Sequence, residues 1–268
     1  MAEKTQSADI ANSLTGDTLP ETAKERSHKK QHMKIRVWNC NMSFRTKAEF
    51  ILSEKPDILI VPECEKPEHL NFGLYTQQPT QTIWFGKNQH KGIGIFSYSN
   101  YKLELLDIHK PDFKYVLPIA VSNGNEQFVL FAVWTQKPET NENYVVQIWN
   151  AMNYYSDILD SEDVIIAGDF NSNTIFDKPT KIATHSNLVK FLMSKRIVST
   201  YHYFYNHRHG LEEHPTHFWK RKFDKPFHID YCFASSQIMM KLKNVQIGNY
   251  ETWTKHSDHK PLIVEFKM

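Results

Sequence analysis

The chain has 268 residues, of which 40% are hydrophobic and 23% are charged, an ordinary globular composition with room for one large domain or two small ones. Its formal net charge of +2 excludes a global attraction to polyanions, so any nucleic-acid surface has to be a local patch. No apolar run approaches the about 20 residues that cross a bilayer, and no apolar signal core opens the chain. We therefore expect neither a membrane span nor secretion.

The three cysteines, Cys40, Cys64 and Cys232, lie far apart and form no CxxC pair. An odd and sparse set argues against a disulfide framework and predicts a reducing, cytoplasmic setting. We interpret all three as small buried hydrophobic residues.

Residues 1–32 differ from the rest of the chain, because they are polar, contain no aromatic residue and end in a basic cluster. We predict that they form a disordered tail or a leader, and that one folded domain spans residues 33–268. The basic cluster is interpreted as solvated, with contact to nucleic acid as the alternative.

From residue 33 onward short strands dominate, with helices between some of them. The segment "KIRVWN" alternates and is rich in β-branched and aromatic residues, which predicts the first strand. Apolar residues at helical spacing predict a helix over Phe44–Ser53, and the unbroken apolar run of "DILIVPE" predicts a buried strand. The segments "GIGIFS", "YKLELLDI", "YVLPIAVS" and "QFVLFAVWT" follow as a series of strands, which favours antiparallel pairing.

The second half of the chain continues in the same manner. Helices are predicted near Tyr144–Leu159 and over Ser186–Lys195, with the strand "VIIAGDFN" between them. The closing strands are "FHIDYCFAS" and "KPLIVEFKM". Strands in two batches with helices outside them predict two packed sheets flanked by helices.

Polar residues stand at the ends of several of these strands, where a rigid sheet rim can face a cleft. Each alone is an ordinary turn or cap residue, but so many beside strong strands are hard to dismiss. Asp169 and Asn171 in "GDFN" are two positions apart, so on an extended segment they point to the same side. The full set is Asn39, Glu63, Asp169, Asn171, Asp230, Asp258 and His259.

Four carboxylates of this set, Glu63, Asp169, Asp230 and Asp258, would repel one another if they met without compensation. A hard divalent cation relieves that repulsion, and oxygen ligands without cysteine or paired histidines point to Mg²⁺ or Mn²⁺ rather than Zn²⁺. Such a cation suits a phosphate substrate, because it polarises the phosphoryl oxygen and steadies the leaving oxygen. His259 can donate to a phosphate oxygen while an acidic partner orients its ring.

The motifs "WNCN", "PECE", "GDFN", "HIDY" and "SDHKPL", in this order, resemble the endonuclease/exonuclease/phosphatase superfamily. That superfamily includes AP endonucleases, deoxyribonuclease-I-like nucleases, deadenylases, sphingomyelinases and inositol-polyphosphate phosphatases. The resemblance covers residues 33–268 and implies an α/β fold, a four-layered sandwich of two packed mixed β-sheets flanked by helices. It also implies hydrolysis at phosphorus by an activated water, with no covalent enzyme intermediate.

The same resemblance implies a metal site. Glu63 is similar to the principal metal-ligand glutamate, with Asn39 and Asp258 as supporting metal residues. The implied ion is Mg²⁺ or Mn²⁺.

It also implies four catalytic roles. Asp169 is similar to the residue that orients or deprotonates the attacking water, and Asn171 to the neighbour that holds the scissile phosphate. His259 would stabilise the charged transition state, with Asp230 as its hydrogen-bond partner.

The chain departs from the superfamily pattern at two positions. Trp134 ends the strand before "GDFN", where a histidine or tyrosine usually contacts the phosphate. An indole can donate one hydrogen bond but cannot accept a proton. Trp134 is thus interpreted as a substrate contact by donation or stacking, with a weakened site or a core-facing ring as alternatives. The second departure, Pro62 before Glu63, is expected to matter little.

The segment "HPTHFWKRKFDKPFHIDY" interleaves basic and aromatic residues and is the candidate surface for nucleic acid, DNA or RNA. Trp219, Arg221 and Lys222 are its candidate substrate-binding residues. A solvated basic hairpin with core aromatics is the alternative. In "YHYFYNHRHG", residues 201–210, we favour core aromatics over function.

The prediction is therefore a metal-dependent phosphodiesterase that hydrolyses nucleic acid with an activated water, most simply as an endonuclease. One alternative is a phosphatase or phosphodiesterase on a small ester, although the Arg- and Cys-containing signatures of inositol phosphatases are absent. A dedicated abasic-site role also lacks support, because "CNMSFRTKAEF" has no glycine after the first asparagine motif. The other alternative is a catalytically weakened module that binds nucleic acid or protein.

Overall fold

The structure is a computed structural model and describes residues 32–70, 77–137 and 143–268. The predicted tail lies outside these ranges apart from His32, which already belongs to the first strand. Among the described residues, none of the helices is both long and apolar enough to cross a membrane.

The described part of the chain contains fourteen strands and seven α-helices. The strands are β1 His32–Val37, β2 Ile58–Cys64, β3 Gln81–Asn88, β4 Lys91–Ser97, β5 Lys102–Leu105, β6 Val116–Ser122, β7 Gln127–Trp134, β8 Val164–Asp169, β9 Ile197–Ser199, β10 His217–Phe218, β11 Pro226–Phe227, β12 Asp230–Ser235, β13 Leu242–Ile247 and β14 Leu262–Lys267. The helices are α1 Ala48–Leu52, α2 Val145–Tyr154, α3 Ser156–Ser161, α4 His185–Ser194, α5 Thr200–Tyr205, α6 Ser236–Met239 and α7 Tyr250–Trp253.

Two mixed six-stranded sheets form the centre of the fold. Their strand orders are β13-β14-β1-β2-β4-β3 and β5-β6-β7-β8-β12-β9, and a short ribbon joins β10 to β11. Each sheet holds one parallel pair, β1 with β2 and β7 with β8, and its other pairs are antiparallel. Parallel neighbours need a crossover connection, and these crossovers carry α1 and the α2–α3 pair. The predicted pair of packed mixed sheets with flanking helices is confirmed.

Three apolar clusters separate the four layers. The largest lies between the sheets and contains Ile58 and Ile60 of β2. Leu59 and Val61 of the same strand face the other way and pack with residues of α1. The third cluster joins the outer face of the second sheet to α2, α3 and α4. Because β2 is covered on both faces, its apolar run is continuous rather than alternating.

Several predicted elements differ in detail. The helix predicted over Phe44–Ser53 is a 3-10 turn at Phe44–Thr46 followed by the short α1. The helix predicted near Tyr144–Leu159 breaks at Tyr155, whose buried ring packs 5.3 Å from that of Phe131. The helix predicted over Ser186–Lys195 is α4, shifted by one residue.

The strand series also divides differently from the prediction. β4 pairs with β2 and β3, whereas β5 begins the second sheet, so the four predicted strands do not form one antiparallel run. β3 was not predicted. It lies at the edge of its sheet with both ends exposed, so "QTIWFGKN" has too little buried pattern to stand out.

Candidate active site

The predicted site residues gather where the central parallel strands of both sheets end. Asn39 follows β1, Glu63 is the penultimate residue of β2, and Asp169 is the last residue of β8. Asp230 begins β12 directly opposite Asp169, because the two strands are antiparallel. His259 stands just before β14. Two separate sheets thus bring their polar ends to one place.

Asp169 is the centre of this arrangement and is fully buried. Its Oδ2 accepts hydrogen bonds from the side-chain amides of Asn39 at 2.9 Å and of Asn171 at 3.0 Å. Its Oδ1 accepts a bond of 2.9 Å from the backbone N–H of Asn171. The bond from Asn39 crosses from one sheet to the other, so it fixes the width of the cleft as well as the carboxylate.

Asn171 reaches Asp169 by a route other than the predicted one. Its φ is +46°, in the left-handed region, so the segment turns back on itself instead of running extended. Its amide nitrogen donates both to Asp169 and, at 3.2 Å, to the carbonyl of Thr135. The two side chains lie together as expected, but both amide hydrogens of Asn171 are already used.

His259 and Asp230 form a second buried pair. The His259 Nδ1 atom lies 2.8 Å from Asp230 Oδ2, and its Nε2 atom lies 4.0 Å from Asp169 Oδ2. Asp230 Oδ1 is buried without a hydrogen-bond partner. The imidazole is therefore held between two carboxylates.

The surroundings shift the pKa values of both groups. Burial, together with the negative charge of Asp230, raises the pKa of Asp169 to about 7. Burial would lower the pKa of His259, but the charges of Asp230 and Asp169 outweigh burial and raise it to about 10. His259 is thus an imidazolium at neutral pH. The pKa of Asp169 lies close to neutral pH, which suits a general base.

Two residues that the sequence did not single out lock this site together. Ser257 Oγ donates to the carbonyl of Asn39 at 2.7 Å and accepts from the backbone N–H of His259 at 3.0 Å. The indole N–H of Trp38 donates to the carbonyl of His259 at 3.1 Å. The first letters of "SDHKPL" and "WNCN" therefore carry structural information that only the packing reveals.

Glu63 reaches the cleft because β2 bulges there. Pro62 pairs with Ile93 and Cys64 with Gly92, which leaves Glu63 as an extra residue with a φ of +62°. Its side chain is 20% exposed, and its Oε2 lies 3.1 Å from Lys91 Nζ. A bulge redirects one side chain without ending the strand, which explains how a buried strand presents a carboxylate.

The predicted metal residues suit a hard cation only in part. The amide nitrogen of Asn39 faces both Asp169 and, at 3.4 Å, Glu63, while its Oδ1 accepts from the backbone N–H of Asn41. Asn39 therefore donates between two carboxylates, while its Oδ1 keeps a second lone pair, so its part as a supporting metal residue stays a prediction. The partly exposed Glu63 carboxylate, close to a crowd of buried negative charge, still fits Mg²⁺ or Mn²⁺.

Asp258 has a histidine partner that the sequence did not assign to it. His217 Nε2 lies 3.7 Å from Asp258 Oδ2, and the His217 ring is 4.5 Å from that of His259. Burial would raise the pKa of Asp258, but the proximity of His217 and the charge of His259 outweigh burial and lower the pKa to about 2. The carboxylate is thus charged at every physiological pH. The only sequence signal for His217 was its place in the basic and aromatic segment.

The interpretation of Trp134 as an open stacking surface is wrong. The side chain is 2% exposed and belongs to the core between the sheets, where its ring lies 4.7 Å from that of Tyr115. Lys91 Nζ lies 5.3 Å from the same ring. The alternative that Trp134 faces the core is therefore the one observed.

A pocket of about 460 Å³ opens beside Asn171 and His217. Trp219 lines it and is 52% exposed. Arg221 and Lys222 are exposed on the adjoining turn and do not line the pocket, and Arg221 donates to the carbonyl of Lys255 at 3.4 Å. The pocket is mainly apolar, with walls from Tyr144, Val145, Phe176, Trp219, Phe227 and Ile229.

The loop after β1 holds an unusual backbone. Asn41, Met42 and Ser43 all have positive φ values, at a cost of about 1 kcal/mol or more each. Lys47 Nζ donates to the carbonyls of Cys40, Asn41 and Met42 at 2.8–3.3 Å. The lysine thus holds a strained loop directly behind Asn39.

Gly168 is required by the close approach of β7 to β8. Its φ is +150°, and a Cβ placed on it would lie 1.8 Å from the carbonyl oxygen of Val133. We expect Gly168→Ala to lower the free energy of unfolding by roughly 2–6 kcal/mol, through strain and overpacking. Gly124→Ala is the matched control, since Gly124 has a φ of +87° but open space around it, and it should cost about 1–2 kcal/mol. Chemical denaturation measures both, and equal losses would contradict the steric explanation.

The sequence matches none of the models of known protein families, and no curated protein matches it. Solved structures do match. An AP endonuclease from Leishmania major aligns with a TM-score of 0.67 and 14% identity over 88% of each chain. An AP endonuclease from Archaeoglobus fulgidus aligns with a TM-score of 0.65 and 16% identity, over 88% of this chain and 100% of its own. A 3'-5' exonuclease from Neisseria meningitidis aligns with a TM-score of 0.57 and 18% identity, again over 88% of this chain and 100% of its own.

These neighbours identify the fold. The chain has the deoxyribonuclease-I-like fold of the endonuclease/exonuclease/phosphatase proteins, as its motifs predicted. At sequence identities of 14–18%, what the chain shares with these structures is the fold.

Proposed function

We propose that this protein is a metal-dependent nuclease that hydrolyses phosphodiester bonds of DNA or RNA with an activated water. The observation that carries the proposal is the buried Asp169 carboxylate, held by two amides and facing the His259 imidazolium across 4.0 Å. The shared fold adds support, since other proteins with this fold include AP endonucleases and a 3' phosphatase from Neisseria bound to a product DNA hairpin.

In this proposal Asp169 accepts the proton of the attacking water. Its raised pKa makes the carboxylate a stronger base than an exposed aspartate. Asn39 and Asn171 orient this carboxylate. Their side-chain amides donate to Oδ2, and the backbone N–H of Asn171 donates to Oδ1. Asn171 thus acts first on the base, and its predicted contact with the phosphate would require it to release one present bond.

His259 stabilises the negative charge that develops on the phosphoryl oxygens. Asp230 keeps the ring protonated and correctly oriented through Nδ1, which leaves Nε2–H to donate into the cleft. Glu63 and Asp258 would hold Mg²⁺ or Mn²⁺, and the ion would polarise the phosphoryl oxygen and steady the leaving oxygen. Trp219 and the basic turn at Arg221 and Lys222 would contact the nucleic acid.

We also propose a reducing, cytoplasmic setting, since all three cysteines are buried and unpaired.

A cleavage assay on the purified protein tests the function. Labelled single- and double-stranded DNA and RNA are offered with Mg²⁺, Mn²⁺ or EDTA. We expect metal-dependent cleavage of at least one polymer, and the preferred polymer names the substrate. If no polymer is cleaved with either ion, the nuclease proposal fails, and small phosphate esters or simple binding take its place.

Asp230→Asn should move the whole pH–rate profile to lower pH. The negative charge of Asp230 raises the pKa values of both Asp169 and His259, so its removal lowers both. The acid limb, where the base becomes protonated, and the alkaline limb, where the imidazolium is lost, therefore shift in the same direction. We expect about a 10²-fold loss of kcat at pH 8 and a smaller loss at pH 6.

The measurement is kcat and kcat/KM from pH 5 to pH 11, together with an NMR titration of the His259 ring. Asp224→Asn, an exposed carboxylate on the basic turn, is the control and should leave the profile in place. A uniform loss of rate with unmoved limbs would contradict the electrostatic role of Asp230.

A further inference from the structure

A second cluster of histidines lies apart from the Asp169–His259 pair, in the segment whose aromatic residues were expected to be core. It is formed by His202 on α5 and by His209 and Glu212 on the loop that follows. One donor atom from each of these residues lies within 4.8 Å of the others. The side chains of His202 and Glu212 are only 7% and 5% exposed, and His209 is half-buried.

The distances within the cluster match those between ligands of one metal ion. His202 Nε2 lies 3.0 Å from Glu212 Oε1. Two ligands on a tetrahedral zinc ion, with bonds of about 2.0–2.1 Å, are separated by about 3.3 Å. The His202 and His209 rings are stacked, with centroids 3.5 Å apart, and each offers one nitrogen within 4.8 Å of a Glu212 carboxylate oxygen.

The outer nitrogen of each histidine already has a partner. His202 Nδ1 lies 2.8 Å from Ser199 Oγ, and His209 Nδ1 lies 3.3 Å from His185 Nε2. His185 continues the chain through Nδ1, which lies 2.9 Å from Ser172 Oγ. Such outer contacts leave the Nε2 atoms of His202 and His209 available as acceptors, which is the usual arrangement behind metal-bound histidines.

An independent observation points to a missing partner beside the cluster. His228 is 3% exposed, and its Nε2 atom is buried without a hydrogen-bond partner. Its ring lies 5.9 Å from that of His202. A buried polar atom without a partner is costly, so a metal ion or its bound water in this place would remove a penalty that the protein alone leaves.

We propose that His202, His209 and Glu212 form a zinc-binding site that fixes the loop after α5 to the catalytic loop. Two imidazoles and a carboxylate are a common zinc set, and a water can complete the coordination. The link to the active site is direct, because Asn173 Nδ2 donates to Glu212 Oε1 at 3.1 Å, and Asn173 follows Asn171 by two residues. The contact between Asn173 and Glu212 gives the ion a structural role, separate from the Mg²⁺ or Mn²⁺ of the proposed reaction.

The test is zinc binding by the full chain after dialysis against a chelator. We expect one zinc per chain by elemental analysis after reloading. At a hundredfold excess over Kd, zinc should raise Tm by roughly 5–10 °C, and the same excess of Mg²⁺ should not. Co²⁺ in place of zinc should give visible absorption bands typical of imidazole and carboxylate ligands.

Four variants separate this site from other zinc-binding places. His209→Gln and the isosteric Glu212→Gln should each weaken zinc binding by at least about tenfold. His207→Gln, in the same loop but outside the cluster, and Glu63→Gln, at the catalytic cleft, should keep it. No zinc on the wild-type chain, or zinc retained by both His209→Gln and Glu212→Gln, overturns the proposal.

Discussion

Asp169→Asn should lower kcat for nucleic-acid cleavage by about 10²–10⁴-fold while the protein stays folded. The substitution removes the base but keeps the shape of the side chain. Both oxygens of Asp169 accept hydrogen bonds, so an amide group must place its N–H₂ against at least one donor. That mismatch costs about 1–3 kcal/mol. Loss of the buried charge facing Asp230 offsets part of this cost.

Single-turnover cleavage and thermal unfolding measure the two effects separately. Asp112→Asn, an exposed aspartate, is the matched control and should leave both unchanged. The variant should still bind the substrate polymer, because the basic turn and Trp219 are untouched. Cleavage within tenfold of wild type would exclude Asp169 as the base and would transfer that role to another group in the cleft.

Glu63→Gln should raise the Mg²⁺ or Mn²⁺ concentration that supports half-maximal cleavage by at least about 10–100-fold, with a large loss of rate at low metal. An amide keeps one oxygen ligand but loses the negative charge that attracts the ion. The loss also releases Lys91, whose Nζ now lies 3.1 Å from Glu63 Oε2 and competes for the same carboxylate. EDTA should abolish cleavage by the wild type at any substrate concentration.

The metal titration has a close control on the same side of the fold. Glu68 also pairs with a lysine, Lys66, at 3.2 Å, but its side chain is 65% exposed. Glu68→Gln should leave the metal dependence unchanged. An unchanged metal requirement in Glu63→Gln as well would show that the ion, if needed, is held elsewhere, and Asp258 with His217 would be the next place to examine.

The zinc and nuclease proposals can fail independently. Loss of zinc from His209→Gln should change stability first and cleavage only through the loop that carries Asn173. Loss of Mg²⁺ or Mn²⁺ should change cleavage without a comparable change in Tm. The comparison of the two ions on one preparation therefore tests whether the chain holds two kinds of metal site.

The architecture, and the set of polar residues that meet at the ends of the two sheets, could be predicted from the sequence. The apolar run of β2 and the helix-spaced residues of α2 and α4 are local patterns, so they can be recognised without knowledge of the tertiary contacts. The order of "WNCN", "PECE", "GDFN", "HIDY" and "SDHKPL" located the residues that the fold brings together, because each ends or precedes a strong strand. Asp169, Asp230 and His259 needed only that placement to be found.

The contacts that each of these side chains makes depend on the packing of the two sheets. Asn39 is a donor between Asp169 and Glu63 because the two sheets meet at its side chain. Trp134 points into the core because of the face of β7 on which it lies, and Glu63 points out of it because β2 bulges there. No local sequence pattern marks either feature. His202, His209 and Glu212 meet because a loop folds back on α5. Direction and long-range contact depend on packing between segments far apart in the chain, whereas periodicity is local.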